Sequence, residues 1–228
     1  VLPPPARHCS LCIPGAHGTF ERLVDCKMVD AVTLSGNLSV TGRSTLTSIS
    51  AAPGKRHFTV TGPHTLRLKW LLLTGGDVRS DPLQRGGAVY VVGDSSVYST
   101  QCWFRGNKAG VGGSIYGGDG ATVRILDTNI TDCIAGKGGG VHIADIASSL
   151  VVTRGRAERN EAISKGGAVL CDSAHCVFRH TVVTQNMANF GGGLLFTSCP
   201  ATVVDHCTVE NNIASYEGGG ISQVFGTL

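Results

Sequence analysis

The sequence predicts an all-β solenoid, a stack of parallel coils of about 26 residues each, and three observations carry that prediction. A short phrase recurs six times: Gly86-Gly87-Ala88-Val89, Gly112-Gly113-Ser114-Ile115, Gly138-Gly139-Gly140-Val141, Gly166-Gly167-Ala168-Val169, Gly191-Gly192-Gly193-Leu194 and Gly218-Gly219-Gly220-Ile221. Its start-to-start intervals are 26, 26, 28, 25 and 27 residues. Short runs such as Val32-Thr33-Leu34, Phe58-Thr59-Val60 and Leu66-Arg67-Leu68 alternate apolar and polar residues and end at Gly or Pro, the signature of strands and turns. Helical spacing never persists beyond about ten residues. Finally, alignment on the Gly pair sorts the chain into columns of like residues.

Residues 1–29 are rich in Pro and Cys and lack the later period, so they read as a cap. Residues 30–228 read as the stacked coils, one domain in all. Before each Gly pair lies an apolar column, Phe104, Ile130, Ala157, Val183 and Val209. Three residues on come Asn107, Cys133, Asn160, Asn186 and Asn212, and two after those an alanine, Ala109, Ala135, Ala162, Ala188 or Ala214. Further upstream run Ser99, Ile125, Val152, Phe178 and Val204, and before them Val97, Val123, Leu150, Cys176 and Thr202. Val89, Ile115, Val141, Val169, Leu194 and Ile221 follow the Gly pairs.

A single short strand cannot bury its own apolar face, whereas equivalent strands stacked at roughly 4.8 Å place like above like and fill an interior. Three strands and three turns account for the period. Asn107, Asn160, Asn186 and Asn212 are expected to form a turn ladder, because Asn tolerates a left-handed backbone and its amide can bond the same group one coil away. The double Gly permits a positive φ at the adjoining bend, and Ala fits where the chain bends tightly. Six copies at a solenoid period are turns rather than phosphate cradles.

Phe104-Arg105-Gly106-Asn107 followed by Gly112-Gly113-Ser114-Ile115 resembles the FxxN and GGAI repeats of chlamydial polymorphic outer-membrane proteins and related surface proteins. The arrangement as a whole resembles a right-handed parallel β-helix of the pectin-lyase-like superfamily. Arg56 to Gly76 is similar to early coils of that group. Three places depart from the pattern: Cys133 stands for Asn, Ala157 for the aromatic, and Asp77 to Arg85 lengthens one turn. The resemblance implies the fold and, for the enzymes of that superfamily, activity on acidic polysaccharides.

A formal charge of +3, with no basic run longer than a pair, gives no footprint for nucleic acid or anionic lipid. The apolar stretch around Trp70–Leu73 is too short to insert in a membrane. Val1-Leu2-Pro3-Pro4-Pro5 does not read as a secretory leader. Nine cysteines point to an oxidising compartment, extracellular or at a cell surface, and the odd number leaves one thiol free or paired outside this segment. Cys9 and Cys12 form a CxxC that could bind zinc only with Cys26, His8 or His17, so disulfides tying down the cap are the preferred reading. Within the stack, Cys171 with Cys176, or Cys176 with Cys199, fall within bridging distance. Cys102 and Cys207 lie in one register but too many coils apart to pair. Asn37 and Asn129 head glycosylation sequons.

For chemistry, polysaccharide enzymes need clustered carboxylates with a basic partner or calcium. No Asp-Asp pair, Gly-His-Gly or Arg-Ile-Lys occurs. Val203-Val204-Asp205-His206-Cys207 resembles a pectate-lyase phrase, but not its calcium site. Asp94, Asp119, Asp145 and Asp172 recur after the Gly-led strand and read as turn formers ahead of a calcium row. His142, His175, His180 and His206 are assigned to no common column. The sequence therefore predicts no catalytic residue, metal or cofactor. Its leading functional reading is a non-enzymatic extracellular or surface scaffold, adhesion module or assembly subunit, with a protein partner or further chain at its C-terminal end and glycans as further contacts. The alternative is a polysaccharide-active lyase or hydrolase, or a carbohydrate-binding module.

Overall fold

The computed structural model describes residues 7–8, 16–43, 46–80 and 84–225. The chain is a parallel β-helix of about seven coils at about 26 residues per coil, and every strand pair is parallel. One coil shows the plan: a long strand Thr122–Leu126, a short strand Asn129–Thr131, a corner strand Ile134–Lys137 and a Gly-led strand Val141–Ala144. The corner strand is the difference from expectation. The segment after the Asn, read from sequence as a turn, is straight enough in the last four coils to form its own sheet, ending with Ile213–Glu217.

The columns anticipated from the repeat are the observed registers. Val97, Val123, Leu150, Cys176 and Thr202 stack in order, as do Phe104, Ile130, Ala157, Val183 and Val209, and so do Val89 through Ile221. Their side chains fill one continuous core in which Phe58, Phe104, Phe178 and Phe196 are fully buried. The eleven-residue strand Val32–Gly42 bends so that Val32 and Thr33 pair with Phe58–Thr61 while Leu38–Thr41 pair with Thr65–Lys69. It thereby joins the long and Gly-led sheets. Ala16–Leu23 pairs in parallel with Val32–Gly42 through two register shifts, so the described part of residues 1–29 lies along the stack.

Each later coil turns at four left-handed corners. In one coil these are Asp127, Asp132, Gly138 and Asp145; in the next, Arg154, Arg159, Gly166 and Ser173. The left-handed residue of the Asn corner is therefore the one before the Asn, contrary to the expectation that Asn itself takes that conformation: Gly106, Asp132, Arg159, Gln185 and Asn211 hold the positive φ. The buried Asn is thus free to aim its amide along the stack. The two glycines of a pair divide their work. Gly166 has φ +66, whereas a Cβ on Gly167 would stand 2.0 Å from the carbonyl oxygen of Gly192 in the next coil. One glycine makes the bend and the other permits close stacking.

Candidate functional site

The Asn ladder is the most regular polar structure in the molecule. Asn186 Oδ1 accepts the backbone N–H of Asn160 and its side-chain Nδ2, both at 2.9 Å, while Asn186 Nδ2 donates to Ala157 O at 3.0 Å and Thr184 O at 2.9 Å. Asn212 receives the same pair of bonds from Asn186 and donates to Val183 O. Asn107 accepts from Gly76 N and donates to Leu73 O. The break at Cys133 is compensated: its Sγ lies 3.0 Å from the hydroxyl of Ser114, at the position where Gly140 and Gly193 adjoin an Asn. Burial pushes the Cys133 thiol up to about 11, so it stays protonated.

Cys171 and Cys176 are bonded inside the core across the turn between a Gly-led and a long strand, with their Cα atoms 6.6 Å apart. Cys26 is also disulfide-bonded. Cys9 and Cys12 lie outside the described residues. Cys199, a disulfide candidate from sequence, is corrected to a free thiol: it sits one coil above and donates to Cys171 O at 3.4 Å, while Cys176 closes on the same-coil partner. Cys102, Cys133 and Cys207 are free as well, so the expectation of one free thiol is replaced by four among the described residues. Burial raises Cys102 to about 11 and also lifts Cys199, which leaves both poor nucleophiles.

Both sequon asparagines are exposed. Asn37 Oδ1 accepts from Thr65 N, and Asn129 stands on the outer face of a short strand beside Trp103 and Arg156. The aspartate row is a set of corners. Asp94, Asp119 and Asp145 have positive φ, and the Asp145 carboxylate accepts from Asp119 N, Ala147 N and Ser148 Oγ. Asp172 falls one position early, and Ser173 takes the corner instead. No group of three His, Cys, Asp or Glu among the described residues is placed to hold a metal. His180 and His206, assigned to no common column from sequence, do share a corner, with ring centroids 5.1 Å apart.

A second polar cluster escaped the sequence reading. The fifth residue of each repeat, counting the first glycine as one, points outward from the Gly-led sheet, giving Tyr90, Tyr116, His142, Leu170 and Leu195. Tyr116, His142, Leu170 and Leu195 are nonetheless buried, and Tyr90 is half-buried. Arg85, at the end of the lengthened turn, lies 4.7 Å over the Tyr116 ring and donates to its hydroxyl at 2.8 Å. Arg56 lies over Tyr90 and donates to Arg85 O and Gln84 Oε1. Tyr90 stacks on Tyr116, and Tyr116 meets His142 edge-on at 5.5 Å. Neither ring nitrogen of His142 has a hydrogen-bond partner, and burial, helped by the charges of Lys137 and Arg85, lowers it to about 3. A neutral histidine without a carboxylate partner lacks the orienting group of an acid–base pair. The cluster clamps Gln84 and Arg85 to the wall of the helix.

An open cleft of about 650 Å³ lies among the early coils, lined by Glu21, Arg22, Thr41, Gly42, Arg43 and Trp70. The Trp70 indole donates to Gln101 Oε1 at 2.9 Å, which holds the ring at its corner.

With this geometry, the sequence matches the family model described as the right-handed β-helix region over residues 83–227. The chain belongs to the right-handed β-helix family. The matched span holds all six Gly pairs and the whole Asn ladder, so the family is defined here by the coil itself. No curated protein and no solved structure matches the chain significantly.

Proposed function

We propose that this β-helix is a non-enzymatic scaffold, a rigid module that spaces or displays other groups outside the cell or at its surface. The observation that carries the reading is how charged side chains at the corners are used. Arg154 grips Asp127 one coil below through two bonds of 2.7 and 2.9 Å, and Arg159 grips Asp132 in the same way. The amide ladder runs parallel to these ties. Charges that an enzyme would converge on a substrate instead bind one coil to the next. The bonded Cys26 and Cys171–Cys176 support an oxidising compartment, and the exposed Asn37 and Asn129 support attached glycans. A protein partner or further coils against the Ile221–Val224 side complete the proposed assembly.

The alternative, a carbohydrate binder or polysaccharide-active enzyme, is favoured by one observation, the cleft that combines Trp70 with Glu21, Arg22 and Arg43. The test is incubation with acidic and neutral polysaccharides, with and without calcium, reading chain cleavage and hydrogen exchange together. The scaffold reading expects no cleavage and unchanged protection. Cleavage, or new protection confined to Arg22, Arg43 and Trp70, overturns it in favour of the alternative.

A further inference from the structure

The corner-strand sheet carries the surface patch least explained by a solitary rod. In the two coils from Ser149 to Thr197, the large apolar side chains left exposed are Ile163, at 69 %, and Met187, at 44 %, and both stand on this sheet. The next strand adds Ile213 at 61 % and Tyr216 at 71 %, with the Tyr216 ring 5.2 Å from Phe190. Contiguous exposed apolar surface of this kind marks an interaction site.

Two registers cross the patch. One reads Glu161, Met187, Ile213 and the other Lys165, Phe190, Glu217. The second runs from a positive through an aromatic to a negative residue. Set face to face with its own copy about a two-fold axis perpendicular to the solenoid, each column meets itself in reverse coil order. With the axis at the level of Met187 and Phe190, these two residues meet their counterparts and Lys165 faces Glu217 in both directions. A single interface then has Met187 and Phe190 at its centre and Lys165 paired with Glu217 at its rim, while Glu161 meets Ile213 at the edge of the other column, the form of an isologous contact.

We infer that this sheet is a homodimer interface, two copies of the chain packing antiparallel through the faces centred on Met187. The surface is independent of the scaffold reading, since a binder or an enzyme can pair by the same face, and the measurement reads association alone. Sedimentation equilibrium of the 228-residue chain should show a reversible dimer. Met187→Glu, which sets two like charges together on the axis, should weaken it by at least about 100-fold. Ile163→Ser is the second variant, and circular dichroism should show both folded. Lys165→Glu and Glu217→Lys should each weaken the dimer about tenfold, and the double reversal should recover it. A chain that stays monomeric at high concentration overturns the inference. So do a dimer indifferent to both apolar variants, open-ended polymers, and a double reversal that fails to recover.

Discussion

The Asn corner and the outward column of the Gly-led sheet are both buried stacks running the length of the later coils, yet one repeats its residue and the other changes it. Asn160, Asn186 and Asn212 each complete the hydrogen bonds of the coil before, so the chemistry at one level dictates the same residue at the next. Tyr116, His142, Leu170 and Leu195 are buried without such a bond from coil to coil, and side chains of different kinds serve. A repeat is enforced where each coil must satisfy its neighbour's polar groups, and relaxed where it must only exclude water.

Asn186→Ala should break the first stack most severely. It removes an acceptor used by Asn160 N and Nδ2 and a donor used by Ala157 O and Thr184 O, inside a buried corner. Leaving such groups unpaired costs about 3–5 kcal/mol, the largest loss expected of any substitution here at neutral pH. Urea denaturation should show the midpoint falling without change of slope. A loss under 1 kcal/mol on the same scale would mean that water replaces the ladder without penalty.

The second stack should respond to pH instead. His142 is lowered to about 3 by burial and by the charges of Lys137 and Arg85, with Tyr116 packed at its edge. An unfolded histidine titrates near pH 6.5, so between about pH 6.5 and 3 the unfolded chain binds the additional proton and stability falls as pH falls. The slope is about 1.4 kcal/mol per pH unit within that window. His57, lowered to about 4 by burial, adds the same sign over a shorter range. His142→Leu, the residue type of the next two coils, should flatten the slope between pH 6.5 and 4.5 and leave the His57 share. An unchanged slope would show that His142 is solvated when protonated.

These two stacks also explain what the sequence reveals and what it hides. The Gly pairs, the Asn corner and the inward columns are visible because each is imposed by contact with its own image, and the registers follow them residue for residue. The positive φ is misplaced by one residue because Arg159 and Gln185 carry no side-chain mark of a left-handed corner. The Arg85, Tyr116 and His142 cluster is hidden because alternation assigns those positions to solvent, and only the fold brings a turn over them. Disulfide choice is hidden for the same reason: Cys176 has candidates in its own coil and the next, and spacing alone does not separate them. The corner-strand face stays invisible as well, since Ile163 and Met187 fall in a segment read as turn.

Where the ladder is already broken, the comparison can be sharpened by repair. Cys133→Asn alone should not stabilise, because the Ser114 hydroxyl occupies the space an amide needs. Cys133→Asn with Ser114→Ala recreates the Ala168 and Asn186 arrangement and should gain about 1 kcal/mol. The two changes are then coupled, and a double-mutant cycle by urea denaturation measures the coupling. Additive effects would show that Ser114 and Cys133 do not share that space.

The smallest effect belongs to the core column beside this corner. Ala157 sits between Ile130 below and Val183 above, so one level of an otherwise filled column is short of methyl groups. A gap of about 10 Å³ lies there among Ile125, Val141, Val152, Phe178 and their neighbours. That is close to the limit for a single water, and the lining is mostly apolar, so a water there would find few partners. Ala157→Val adds two methyl groups whose burial is worth about 1.5 kcal/mol, less the strain of fitting them against the side chains around the gap. The net gain should be about 0.5 kcal/mol, read as a small rise in the urea midpoint. A loss instead would show that the neighbouring side chains have already relaxed into the space, making Ala157 the fitted residue at its level as surely as Asn is at the corner.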